Sequence, residues 1–173
     1  MLKRKVKRKV KSKMELINEL DLMEEHWNLH KQDYTTETIL LAKHLGVSVD
    51  DAESYIDDDD YLVLTDEEAD DRVYDEIADS VWAFKPSFLA AHTGVTEEAI
   101  EKLQEMCEGA NEALTAMIKN FDAFVEDAVR SDGRGHFLSD YDSNEYEVCY
   151  TSAERNGNAY KVKDTYYYIY RRN

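Results

Sequence analysis

YLVLTDEEADDRVYDE, residues 61–76, holds both kinds of regular structure within one stretch. Tyr61 to Leu64 form an apolar run that reads as a short strand or extended linker, although four residues alone cannot be told from a helix start. Thr65 with Glu68 then spells a capping box, T-x-x-E, in which each side chain satisfies the other's backbone amide. Beyond the cap, Ala69, Val73, Ile77, Val81 and Trp82 fall on one stripe of a helix that ends near Pro86.

The same stretch sits in a run of acid. Ser54 to Glu76 hold eleven carboxylates and one base, Arg72. Like charges so close repel and slightly destabilise a compact state, so the run needs a place that tolerates it or a partner that uses it. Asp57, Asp58, Asp59 and Asp60 read as a loop. Asp66, Glu67, Glu68, Asp70, Asp71, Asp75 and Glu76 belong to the capped helix, and together these eleven are the candidate partner-binding residues.

Working outward, the charge is divided unevenly. The net charge is −17, yet residues 1–13, MLKRKVKRKVKSK, carry eight of the 21 bases and no acid. The other 160 residues set 13 bases against 38 acids, a balance of −25. The chain therefore divides into a basic N-terminal arm (1–13), an acidic helical domain (14–133) and a small antiparallel β subdomain (134–173). In the arm, Lys3, Arg4, Lys5, Lys7, Arg8 and Lys9 are candidate nucleic-acid contacts. Val6, Val10 and Met14 recur every four residues, so the arm also reads as a helical extension, or as a flank before an internal start at Met14.

One proline and six glycines favour long, mostly helical elements. MELINELDLMEEHWNL (14–29) reads as a helix, and residues 34–56 as two short ones around Gly46. FLAAHT makes another, stopped by Gly94. From Thr96 a three-four spacing runs through Ile100, Leu103, Cys107, Ala110, Leu114, Met117, Phe121, Phe124 and Ala128, which predicts one amphipathic helix of about nine turns, with Gly109 a place for a bend and Gly133 its end. Past Gly133 the pattern alternates. EYEVCYT, the Asn156–Gly157 turn signal, AYKVK and TYYYIYRR predict an antiparallel sheet with its tyrosine face on the helices. The fold class is α+β, mainly helical: a helical bundle with one long amphipathic helix and a small C-terminal antiparallel sheet.

LAKHLGVS (41–48) and LAAHTGVT (89–96) echo each other and resemble the turn of a helix-turn-helix. The helices that follow read VDDAESYI and EEAIEKLQ, whose carboxylates would repel phosphates. A helical corner used twice for packing is the expected role.

Few patterns carry chemistry. His26 and His30 stand at i, i+4 without a third ligand, so no metal is expected. No cofactor is expected either, since no phosphate loop, nucleophile elbow or C-x-x-C pair is present. Cys107, on the apolar stripe, and Cys149 read as reduced thiols of a cytoplasmic protein. No apolar run suits a membrane span. The densest polar segment is SDGRGHFLSDYDSNEYEV (131–148), with Arg134, His136, Ser139 and Asp142. A catalytic reading makes His136 a base oriented by Asp140 or Asp142. A structural reading has Arg134 forking onto a carboxylate while Ser139 and Asp142 satisfy loop amides. The second is preferred, and no enzyme is expected.

Together, YLVLTDEEAD, DGRGHFLSDYDSNEYEV and the terminal YYYIYRRN resemble a group of small phage and prophage proteins, in which the two blocks flank a variable helical middle. The resemblance covers about a quarter of the chain and transfers no functional residue. It implies a phage-encoded accessory protein acting in the cytoplasm of a bacterial host. The expected function is inhibition of a host nucleic-acid-binding machine, first a CRISPR effector, by an acidic face that mimics the charge of DNA. The partner would be a basic host protein with a nucleic-acid-binding cleft. Alternatives are a bifunctional binder that also holds nucleic acid through residues 1–13, and a helical adaptor that pairs with its own copy as a homodimer.

Overall fold

A computed structural model of the protein describes residues 34–156 and 159–173, and side chains there outside 153–162. The basic arm, the expected helix over 14–29 with His26 and His30, and Gly157 of the turn signal lie outside the described residues.

The described chain is mainly helical α+β. Helices α1 (Thr36–Leu45) and α2 (Val49–Asp57) form a corner, followed by β1 (Tyr61–Thr65) and α3 (Asp66–Asp79). A 3-10 turn at Val81–Ala83 leads to α4 (Pro86–Thr93) and α5 (Glu97–Gln104). A second 3-10 turn, Cys107–Ala110, precedes α6 (Asn111–Met117), α7 (Phe121–Asp132) and α8 (Arg134–Leu138), and the hairpin β2 (Tyr146–Asn156) and β3 (Ala159–Arg171) ends the chain.

The apolar run YLVL is a strand, and it completes the C-terminal sheet. Its order is β1-β3-β2, antiparallel throughout, with Val63 opposite Ile169 and Tyr146 opposite the same residue from the other side. Because side chains alternate across a strand, the sheet has two faces, and both are covered. Leu62, Leu64, Tyr168 and Tyr170 pack on the main core of α3 to α8, around Ile77, Leu89, Ile100, Leu114 and Phe124. Val63, Ile169, Val148 and Tyr167 pack on Leu41, Ala42 and Ala52 of α1 and α2. The tyrosine strand thus lies between two helical layers.

The echoed motif builds two similar corners. Gly46 and Gly94 take left-handed φ angles of 70° and 77°, and their amides bond Ala42 and Ala90 carbonyls at 2.9 and 3.0 Å. This conformation suits glycine because a Cβ would crowd it. Among the described residues neither His44 nor His92 bonds a helix-terminal carbonyl. His44 rests on the Tyr146 ring, and His92 on Phe88 and Phe124.

The nine-turn helix does not exist as one piece. It breaks at Cys107, which takes a left-handed φ of 52°, and again at Ile118, whose backbone is extended. The reason lies in its neighbours. Asn111 accepts from Trp82 N at 3.1 Å and donates to Ala78 O at 2.7 Å, while Gln104 Nε2 donates to Trp82 O and Phe84 O, both at 2.7 Å. Those side chains satisfy backbone groups where α3 gives way to the 3-10 turn, and bending round it replaces helical bonds. Asn120 then caps α7 through the Ala123 amide. In consequence Cys107 is exposed rather than on a buried stripe.

Candidate functional site

YLVLTDEEAD (61–70) and DGRGHFLSDYDSNEYEV (132–148) meet at Arg134. It opens α8, and its guanidinium is almost withdrawn from solvent, with a side chain 11% exposed. Nε and Nη2 reach the two oxygens of Glu145 at 2.8 and 3.2 Å, a two-pronged grip suited to a planar fork. Nη1 bonds Asp66 and Asp70 of α3, each at 2.9 Å. The Tyr168 ring covers the group at 4.3 Å, and the Tyr170 hydroxyl donates to Glu145 at 2.6 Å.

Burial opposes the charge of Arg134, but the bonds to Glu145 and Asp66 outweigh it, so its pKa rises. Burial, then the bond to Glu145, pushes the Tyr170 hydroxyl up as well. Gly135 allows this approach: a Cβ there would lie 2.6 Å from Ser143 O and 2.8 Å from the Asn144 carbonyl carbon. Only glycine lets residues 143–145 close over α8, which brings Glu145 to the guanidinium.

A second knot fixes the following loop. Ser139 is buried, and its Oγ lies 2.7 Å from Asp142 Oδ1 and 2.8 Å from Arg171 O, so its one proton serves either acceptor. Asp142 also accepts from Asn144 N at 2.9 Å and the Tyr146 hydroxyl at 3.1 Å. The Ser139 and Asn144 bonds hold its carboxyl well below the usual range, at about 2. Arg172 Nε sits 2.7 Å from Asp140 but is not aligned to donate to it.

His136 stands apart from these groups. It is exposed on α8 with its ring edge-on to Phe137, beside a cavity of about 370 Å³ floored by Phe84, Phe88 and Phe137. Neither Asp140 nor Asp142 bonds it among the described residues, and Arg134 is committed to carboxylates. The structure therefore does not assemble the His136–Asp pair of the catalytic reading.

The eleven acids separate into two sets. Asp66 and Asp70 face Arg134. Glu68 closes the capping box, accepting from Thr65 N at 2.8 Å and Thr65 Oγ1 at 2.7 Å, and the first of those bonds chiefly lowers its pKa. Glu76 lies 3.0 Å from Arg72 and 3.7 Å from Arg172, and Asp60 accepts from Asn173 at 3.1 Å. Asp57, Asp58, Asp59, Glu67, Asp71 and Asp75 are exposed and have no cationic partner among the described residues. Glu67, Asp71 and Asp75 recur every four residues on the side of α3 opposite the buried Ala69, Val73 and Ile77. No cluster of possible metal ligands occurs among the described residues, and no helix there is long and apolar enough to cross a membrane.

Arg134 itself was readable as a forked carboxylate binder, but its partners Asp66 and Asp70, some 65 positions away, were not. The acids of α3 were grouped by composition, which is blind to the direction each one faces. Comparison with known families, curated proteins and solved structures found no match.

Proposed function

We propose that this chain is a non-enzymatic, phage-encoded binding protein. It docks the outer face of α3 and the α2–β1 loop on the nucleic-acid-binding surface of a basic host protein and inhibits it, with a CRISPR effector the first target to try. One observation carries the reading: Glu67, Asp71 and Asp75, with Asp57 to Asp59 nearby in sequence, lack cations among the described residues, whereas the adjacent acids of α3 are held internally. Residues four apart stand about 6 Å apart along a helix axis. That is close to the rise along the duplex axis between every second phosphate of one DNA strand, about 6.8 Å. Such a row, held on a capped helix, presents negative charge at a repeat that a basic cleft already accommodates. The resemblance to phage proteins supplies the host context.

The test is competition. Purified chain and guide-loaded effector are mixed with labelled target DNA at low and high salt. The chain should displace DNA at low salt and lose about tenfold or more of its potency at high salt, as electrostatic docking is screened. Combining Glu67→Gln, Asp71→Asn and Asp75→Asn should weaken inhibition with the circular dichroism spectrum unchanged. Inhibition indifferent to both salt and these changes would overturn the reading.

A further inference from the structure

The acidic row on α3 borders a groove whose floor is not charged. Tyr74 of α3 and Val129 of α7, above the buried Val73 and Val125, line an open cleft of about 550 Å³. Tyr74 is 38% exposed, and its ring meets Phe121 edge-on at 5.1 Å. The rims are acidic on both sides. Asp71 belongs to the outer row of α3, while Asp122 and Glu126 lie one turn apart on α7, all exposed. None of these three has a cationic partner among the described residues. Arg130, the one base of the rim among the described residues, is bonded to Asp127, and Asp70 is turned to Arg134.

A purely electrostatic decoy needs no aliphatic floor, and a cleft for an apolar ligand needs no double acidic rim. Both together match a helix that carries lysines or arginines beside an aliphatic stripe. The stripe would lie on Tyr74 and Val129 while the cations reach Asp71, Asp122 and Glu126, burying apolar area between desolvated charge pairs. We infer that this groove receives a basic amphipathic helix of the partner protein. This deepens the proposed function and rests on it: the acids steer the encounter, and the floor of Tyr74 and Val129 holds the complex once it forms.

The experiment uses the full chain and two labelled synthetic peptides of equal charge, one of lysine and leucine with leucines at helical spacing, the other with serine for leucine. Binding is followed by fluorescence anisotropy at low and high salt. The leucine peptide should bind at least tenfold more tightly than the serine peptide and keep that advantage at high salt. Val129→Ser, and separately Tyr74→Ala, should reduce the advantage several-fold without altering binding of the serine peptide. Asp122→Asn with Glu126→Gln should weaken both peptides. Two variants guard against a folding effect, since Tyr74 is part-exposed and Val129 packs on the core. Equal binding of both peptides, unchanged by either floor variant, would overturn the groove while leaving charge-based docking intact. Binding of neither would overturn both.

Discussion

Asp66 and Asp70 differ from Glu67 and Asp71 by one position each, yet the two pairs do unlike things. One step along a helix turns a side chain by about 100°. That turn carries Asp66 and Asp70 onto Arg134, and Glu67 and Asp71 out to solvent. The first pair, although its side chains are 70% and 69% exposed, anchors α3 to α8 and, through Glu145, to the loop before the sheet. The second pair contributes nothing to the described internal contacts. Acid content alone hid this division between a structural row and an available one.

The contrast can be broken most severely at its centre. Arg134→Ala leaves Glu145 short of its partner, frees two repelling aspartates and uncovers Tyr168. A loss of about 3 kcal/mol is expected, read from urea unfolding. A loss below about 1 kcal/mol would mean that the inner row is no more structural than the outer one. Next comes the cap that sets the rotation of α3. Thr65→Ala removes the acceptor of the Glu68 amide and the donor to Glu68, and should cost about 1 kcal/mol in the same measurement.

A smaller effect separates the loop knot by pH. Asp142 has a folded pKa of about 2, below its ordinary value of about 3.9. Its stabilising contribution is therefore complete above about pH 4 and is lost as pH falls through 2. Asp142→Asn should flatten the fall of melting temperature between those limits. An unchanged slope would remove Asp142 from the account. The smallest effect belongs to the outer row. Glu67→Gln, Asp71→Asn and Asp75→Asn together should shift unfolding by no more than about 0.5 kcal/mol. A large shift would show that these acids have a structural role, and would weaken the case for a partner.

Much of the fold was legible because its signals are local. The capping box of Thr65 and Glu68, the glycine corners at Gly46 and Gly94 and the alternation through EYEVCYT and TYYYIYRR each depend on neighbours a few residues away. The nine-turn helix misled because the apolar spacing continues unbroken through two real breaks. Asn120 ahead of FDAFVEDAV was a readable cap. The break at Cys107 was marked only by Gly109, which lies in the 3-10 turn there; that the helix breaks rather than bends depends on Gln104 and Asn111 finding the backbone near Trp82.

At the site, the grip of Arg134 on a carboxylate was foreseeable from chemistry, but its partners were not. By itself the sequence determined most of the helical and extended segments, the corners, the cap and the surplus of acid, since propensity, periodicity and charge are properties of short stretches. Tertiary structure decided that YLVL would complete the C-terminal sheet, that the long helix would break, and which acids would face Arg134. Those outcomes turn on pairing groups distant along the chain, where unsatisfied backbone amides and an almost buried guanidinium require partners that only folding supplies.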